Sequence, residues 1–128
     1  MKILLDTHVA MWAIADSPEM PAKARDLILD SENNIFVSAA SIWEISIKHS
    51  IGKRSMPISA REALKFFQES GYFILPIGAD HAAFVETLPP HHKDPFDRLL
   101  VAQALLEPLR FLTHDQEVAK YSDTVVLV

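Results

Sequence analysis

Four carboxylates carry the chemistry that this sequence can do: Asp6, Glu44, Asp97 and Asp115. Each follows a short apolar run or opens a helical stretch. In an open α/β sheet such junctions fall along the carboxyl edge of the strands, where ligands bind. Carboxylates gathered together repel one another, so a fold that collects them needs a cation or a proton between them. An all-oxygen donor set suits a hard divalent ion, and such ions act most often on phosphate groups.

Each acid also has a plainer role open to it. Asp6 precedes a helix whose first amides its side chain can cap. Ser41-Ile42-Trp43-Glu44 has capping-box spacing, so a helix beginning at Ser41 leaves Glu44 reaching back to its own cap. A start at Ser38 instead puts Glu44 in the second turn, free to project. The residues leave that choice open. In Asp94-Pro95-Phe96-Asp97, Asp94 makes a good cap with proline at the first helical position, and we assign the ligand role to Asp97. Thr113-His114-Asp115-Gln116 repeats the capping spacing. Caps are ordinarily a mixture of Ser, Thr, Asn and Asp, whereas all four junctions here carry a carboxylate.

The elements that must hold these acids read as alternating strands and helices. Lys2 to Leu5 is a continuous apolar strand, followed by a helix from Thr7 to Ala15 and another from Pro21 to Asp30. Ile35 to Val37 is a second strand, and a helix from about Ala40 to Ile51 is stopped by Gly52. Ser59-Ala60-Arg61-Glu62 is a capping box opening a helix that ends at Gly71. A third strand spans Tyr72 to Ile77, with a helix from Ala79 to Leu88 after it. Pro89-Pro90 forces an extended loop before an apolar helix from Asp94 to Leu106. Arg110 to Thr113 is a fourth strand, Asp115 to Tyr121 a short helix, and Val125 to Val128 the last strand. Short connections between alternating elements predict a parallel sheet covered on both faces, in one domain over residues 1–128.

With 128 residues and 49% hydrophobic content the chain can bury a sizeable core. Cysteine is absent, which excludes disulfides and thiolate metal sites and fits a cytoplasmic protein. No run approaches the roughly 20 apolar residues of a membrane helix. The net charge of −5, from 17 acidic and 12 basic residues, has the wrong sign for binding nucleic acid. Cations held by several of the acids would reverse the local field.

Leu4-Leu5-Asp6-Thr7-His8, Ser41 to Lys48, Asp94 to Ala104 and Leu112-Thr113-His114-Asp115 together resemble the four motifs of PIN-domain nucleases. More narrowly they are similar to the VapC toxins of bacterial type II toxin–antitoxin modules. The resemblance implies a PIN-like three-layer α/β/α domain around a central, mainly parallel sheet of four to five strands. It implies metal-dependent hydrolysis of RNA, with Mg²⁺ or Mn²⁺ held by Asp6, Glu44, Asp97 and Asp115, leaving 5′-phosphate and 3′-hydroxyl ends. It further implies a homodimer and a VapB-type antitoxin, for which an apolar groove near Trp12, Ile14 and Trp43 is the expected seat. His8 stands where many relatives carry Asn. A PIN nuclease of RNA maturation would show the same motifs.

Around the acids, Lys48, Lys53, Arg54, Lys93 and Arg98 are the basic residues expected near the mouth. Lys48 and Arg98 either meet a phosphate or form an ion pair with a nearby acid. Thr7 either orients Asp6 or caps a helix. Of the six histidines, His8 is placed as a neighbour of Asp6, and His49 and His81 at the surface. No His-Glu-x-x-His pattern exists, and the adjacent His91 and His92 do not make a zinc site. Without metal, the crowded acids should titrate high as a group. A phosphoacceptor receiver needs an acid ending the third strand, but Phe73-Ile74-Leu75-Pro76-Ile77 has none. A haloacid-dehalogenase-type phosphatase needs an Asp where His8 stands.

Overall fold

The computed structural model describes residues 1–52 and 56–128. Its first half runs β1 (Lys2–Leu5), α1 (Thr7–Ala15), α2 (Ala22–Leu29), β2 (Asn34–Ser38) and α3 (Ala39–Ser50). The second runs α4 (Ala60–Glu69), β3 (Phe73–Leu75), α5 (Ala79–Phe84) and a 3₁₀ turn (Val85–Thr87). It ends with α6 (Pro95–Leu106), β4 (Arg110–Thr113), α7 (Gln116–Ala119) and β5 (Val125–Leu127). The strands form one parallel sheet in the order β3-β2-β1-β4-β5.

Ile3, Leu4 and Leu5 are fully buried, which a strand achieves only when both faces of its sheet are covered. Ile3 and Leu5 join Ile35, Val37 and Leu112 on one face, against Val9, Ala24, Ile45 and Phe67. Leu4 and Phe111 point the other way, into a second core with Leu100, Val101, Ala104 and Val118. Alternate side chains of β1 thus feed two cores, and the three-layer α/β/α arrangement follows.

The strand order, which no single sequence yields, decides where the acids meet. β1 is central, with β2 on one side and β4 on the other. Successive connections turn outward on opposite sides of β1, so their carboxyl ends part into a crevice. Asp6 follows β1, α3 springs from β2, and Asp115 follows β4.

Several boundaries shift from expectation for local reasons. Pro21 caps α2 instead of opening it, and the helix predicted over Ala79–Leu88 tightens to 3₁₀ after Phe84. β3 is only Phe73–Leu75, since Pro76 brings no N–H to extend a ladder. At α3, Ser38 is the cap: its hydroxyl accepts the Ala40 N–H at 2.9 Å. The same hydroxyl donates to Gln103 Oε1 at 2.5 Å, and Gln103 Nε2 donates to the Pro76 carbonyl at 3.2 Å. Gln103 is fully buried, so this chain from α6 fixes where α3 begins. Glu44 consequently lies in the second turn and is free of the capping box that Ser41 offered.

Candidate metal centre

Asp6 combines two roles. Its Oδ1 accepts the His8 N–H at 2.8 Å as the cap of α1, and its Oδ2 accepts the Thr113 hydroxyl at 2.6 Å. Thr113 ends β4, so the bond ties the two strand ends together across the crevice. Burial drives the Asp6 pKa above its ordinary value, and the charge of Glu44 adds to it, against the two hydrogen bonds that favour the carboxylate.

Glu44 is 5% exposed and lines a depression beside Asp6, close enough for its charge to act on Asp6 and Asp97. Lys48, one turn on, donates to its Oε2 at 2.7 Å. Of the two readings of Lys48, the ion pair is the one present. Glu44 Oε1 is buried with no hydrogen-bond partner among the described residues.

Asp97 lies in the first turn of α6, behind Asp94, whose Oδ1 caps the helix through the Phe96 N–H at 2.8 Å. Burial, with the charges of Asp6, Asp94 and Glu44, pushes the Asp97 pKa up to about 7, against a smaller pull from His92. These couplings place Asp6, Glu44 and Asp97 within one another's fields.

Asp115 caps α7 through the Glu117 N–H at 2.8 Å. Its Oδ2 receives His92 Nε2 at 2.8 Å, and the same nitrogen lies 3.3 Å from Asp97 Oδ2. Burial works against the charge on Asp115, but the His92 bond and the α7 amides outweigh it, and its pKa falls below the ordinary value. The expectation that all the acids titrate high therefore fails at Asp115, because a histidine answers its charge. Asp6 and Asp97 behave as expected.

His92 is the residue that sequence reasoning missed. Its only signal was a pair of adjacent histidines, weighed for zinc alone. Its donor atom and those of Asp97 and Asp115 all lie within 4.8 Å of one another. Arg98 holds the loop that carries it. The guanidinium donates to the carbonyls of Pro89 and His92 at 3.2 and 3.3 Å and to the Tyr121 hydroxyl at 3.1 Å. It reaches those of Val85 and Leu88 at 3.2 and 3.4 Å. Arg98 is thus a backbone clamp, neither of the roles expected of it.

Other placements also differ from expectation. The Thr7 hydroxyl meets that of Ser41 at 2.8 Å, fastening α1 to α3, and neither caps nor orients Asp6. His81 is buried, not at the surface, with Nε2 on Glu107 Oε2 at 2.5 Å. The apolar groove divides. Trp12 and Ile14 line a depression of about 500 Å³ with Met11, Met56 and Ile58, reaching Glu44 and Lys48. Trp43, 56% exposed, lies elsewhere, packed edge-on against Phe96 in a groove of about 350 Å³. Beside the first depression, and sharing His8, Trp12 and Glu19 with it, a cleft of about 590 Å³ is lined by Asp6, His92, Asp97 and Asp115. Lys53 and Arg54 lie outside the described residues.

The donor set fits a hard divalent ion. A buried carboxylate oxygen without a partner among the described residues, beside two acids whose charge the fold disfavours, is an arrangement that a hard cation would satisfy. A pH dependence follows. Asp97 sits at about 7 in the folded chain, against about 3.9 unfolded, so the folded state holds the extra proton between those values. Metal-free stability from this group therefore falls as pH rises from about 4 to about 7. Mn²⁺ at a hundredfold excess over its Kd should raise the melting temperature by about 10 °C at pH 8 and far less at pH 5.5. Thermal scans at the two pH values check this, and equal shifts would contradict it.

A family model for the PIN domain matches residues 3–123. No curated protein sequence matches the chain significantly. Among solved structures, the VapBC2 complex of Rickettsia felis bound to a DNA fragment from its promoter superposes with TM-score 0.71 at 19% identity. That match covers 100% of this chain and 98% of the other. FitAcB from Neisseria gonorrhoeae gives TM-score 0.66 at 20% identity, covering 98% of this chain and 96% of that one. VapC20 from Mycobacterium tuberculosis, a toxin that cleaves the sarcin-ricin loop, gives 0.65 at 14%, with 98% of each chain covered. At these identities the structures speak for the fold. The family model spans nearly the whole chain, and the chain belongs to the PIN domain family.

Proposed function

We propose that this protein is a Mg²⁺- or Mn²⁺-dependent endoribonuclease, the toxin of a toxin–antitoxin pair. The unpartnered Glu44 Oε1 beside the raised Asp97 carries this reading. Asp6, Glu44 and Asp97, with Asp115 as the fourth acid, would hold the ion. When bound, the ion supplies an activated water and neutralises charge developing at phosphorus. Asp6 is aimed by Thr113 and the His8 amide, and Asp97 is carried by the first turn of α6 with His92 Nε2 3.3 Å from its Oδ2. Lys48, at the rim beside Glu44, offers a cation to a phosphodiester.

The toxin assignment is supported by the solved structures of like fold, which include antitoxin complexes and a sarcin-ricin loop cleaving toxin. We place a VapB-type antitoxin on the depression around Trp12, Ile14, Met11 and Ile58, where an apolar segment would close the approach to Glu44. The chain would act as a homodimer in the cytoplasm. Among the described residues no helix is long and apolar enough to cross a membrane. A receiver-type signalling reading has no support: β1 is central in the sheet, where the receiver order would flank it with β2 and β3, and no acid ends β3.

Labelled RNA incubated with the protein and Mg²⁺ or Mn²⁺ should be cut to 5′-phosphate ends, and EDTA should stop it. Cleavage that persists in EDTA, or none across varied RNAs, would overturn the proposal. Growth arrest on expression, relieved by a neighbouring antitoxin gene, separates a toxin from a maturation nuclease.

A further inference from the structure

His92 reaches the cleft from the loop before α6, and both its ring nitrogens are engaged. Nδ1 accepts the backbone N–H of Asp94 at 3.0 Å, so this nitrogen presents a lone pair and bears no proton. The proton of the neutral ring then sits on Nε2. That N–H faces Asp115 Oδ2 at 2.8 Å, with Asp97 Oδ2 at 3.3 Å. His81 repeats the arrangement, with Nδ1 accepting the Gly78 N–H at 2.8 Å and Nε2 facing Glu107.

A metal-ligating Nε2 would need its proton on Nδ1, which the Asp94 amide forbids. Proximity to two carboxylates would otherwise have made His92 a third donor. Asp115 has Oδ1 on the α7 amide and Oδ2 on His92. On the metal-dependent reading above, we infer that His92 is a positioning residue and not a metal ligand: its single N–H is given to Asp115 Oδ2 and holds that carboxylate in place for the ion, beside Asp97. A ligand carboxylate held by an outer hydrogen bond commonly owes it ten- to a hundredfold in metal affinity.

The test uses the full chain and Mn²⁺ or Mg²⁺ alone. Nitrogen NMR of the Mg²⁺-saturated protein should show His92 Nε2 protonated and Nδ1 bare, and the Mn²⁺ form should show no directly bound nitrogen by pulsed paramagnetic resonance. His92→Leu should weaken Mn²⁺ binding by about tenfold or more, and His92→Gln, which keeps an N–H donor, should restore it to within about threefold. A bare Nε2 or a nitrogen bound to Mn²⁺ would make His92 a ligand and overturn the inference. Equal Mn²⁺ affinities for the Leu and Gln variants would reduce it to packing. If His92→Leu does not fold, the spectra and His92→Gln still decide. Wild-type protein that takes up neither ion would remove the metal reading itself, an outcome distinct from all of these.

Discussion

Asp97→Asn should lower RNA cleavage by at least about a hundredfold while making the metal-free protein more stable. The loss follows because Asp97 offers a charged donor to the ion, and even hydrogen-bond partners of such donors account for ten- to a hundredfold. The gain follows from the same environment. Burial and the charges of Asp6, Asp94 and Glu44 hold the Asp97 pKa at about 7, so the carboxylate is disfavoured above that pH. A neutral amide of the same shape removes the penalty, stabilising the fold by about 2 kcal/mol at pH 8, or roughly 5–10 °C in melting temperature. The gain should vanish near pH 4, where the wild-type group is protonated. Glu44→Gln should lose cleavage as well but not share the gain, because Lys48 already answers its charge. Melting curves across pH, beside a cleavage assay, check both halves. An Asn variant that is active, or no more stable at pH 8, would contradict them.

Arg98→Ala should cost about 3 kcal/mol in stability, the largest loss expected from any single polar side chain here. Its planar fork serves four backbone carbonyls between Val85 and His92 and the Tyr121 hydroxyl. That hydroxyl in turn accepts the His92 N–H at 2.9 Å. Removal leaves several carbonyls without a donor and frees the loop that carries His92. Arg98→Lys should recover little, since one ammonium cannot span the fork. Denaturant unfolding measures the loss, and an Ala variant within about 0.5 kcal/mol of wild type would refute the clamp.

What the sequence made legible, and what it did not, divides by the range of the interactions. β1 and β4 were plain because strands buried on both faces must be apolar throughout, as Ile3-Leu4-Leu5 and Phe111-Leu112 are. The capping box of Ser59 and Glu62 is present as its spacing implied. The start of α3 was undecidable locally, since Ser38 and Ser41 cap equally well. A buried bond to Gln103, 65 residues away, settles it and releases Glu44. Asp6, Glu44 and Asp97 were nameable by type and junction, but their mutual repulsion depends on a strand order that local propensity does not encode. His92 and Arg98 were misjudged for one reason: their partners lie across the loop, on Asp115, Tyr121 and a row of carbonyls. Adjacent residues in the chain say nothing of these.

The central claim is that acids from separate strand ends share one divalent ion, and anomalous diffraction from crystals soaked in Mn²⁺ tests it most directly. The account predicts a manganese peak in the crevice between β1 and β4, bounded by carboxylate oxygens of Asp6 and Asp97 with Glu44 beside it. A peak elsewhere, or none at saturating Mn²⁺ and pH 8, would contradict it.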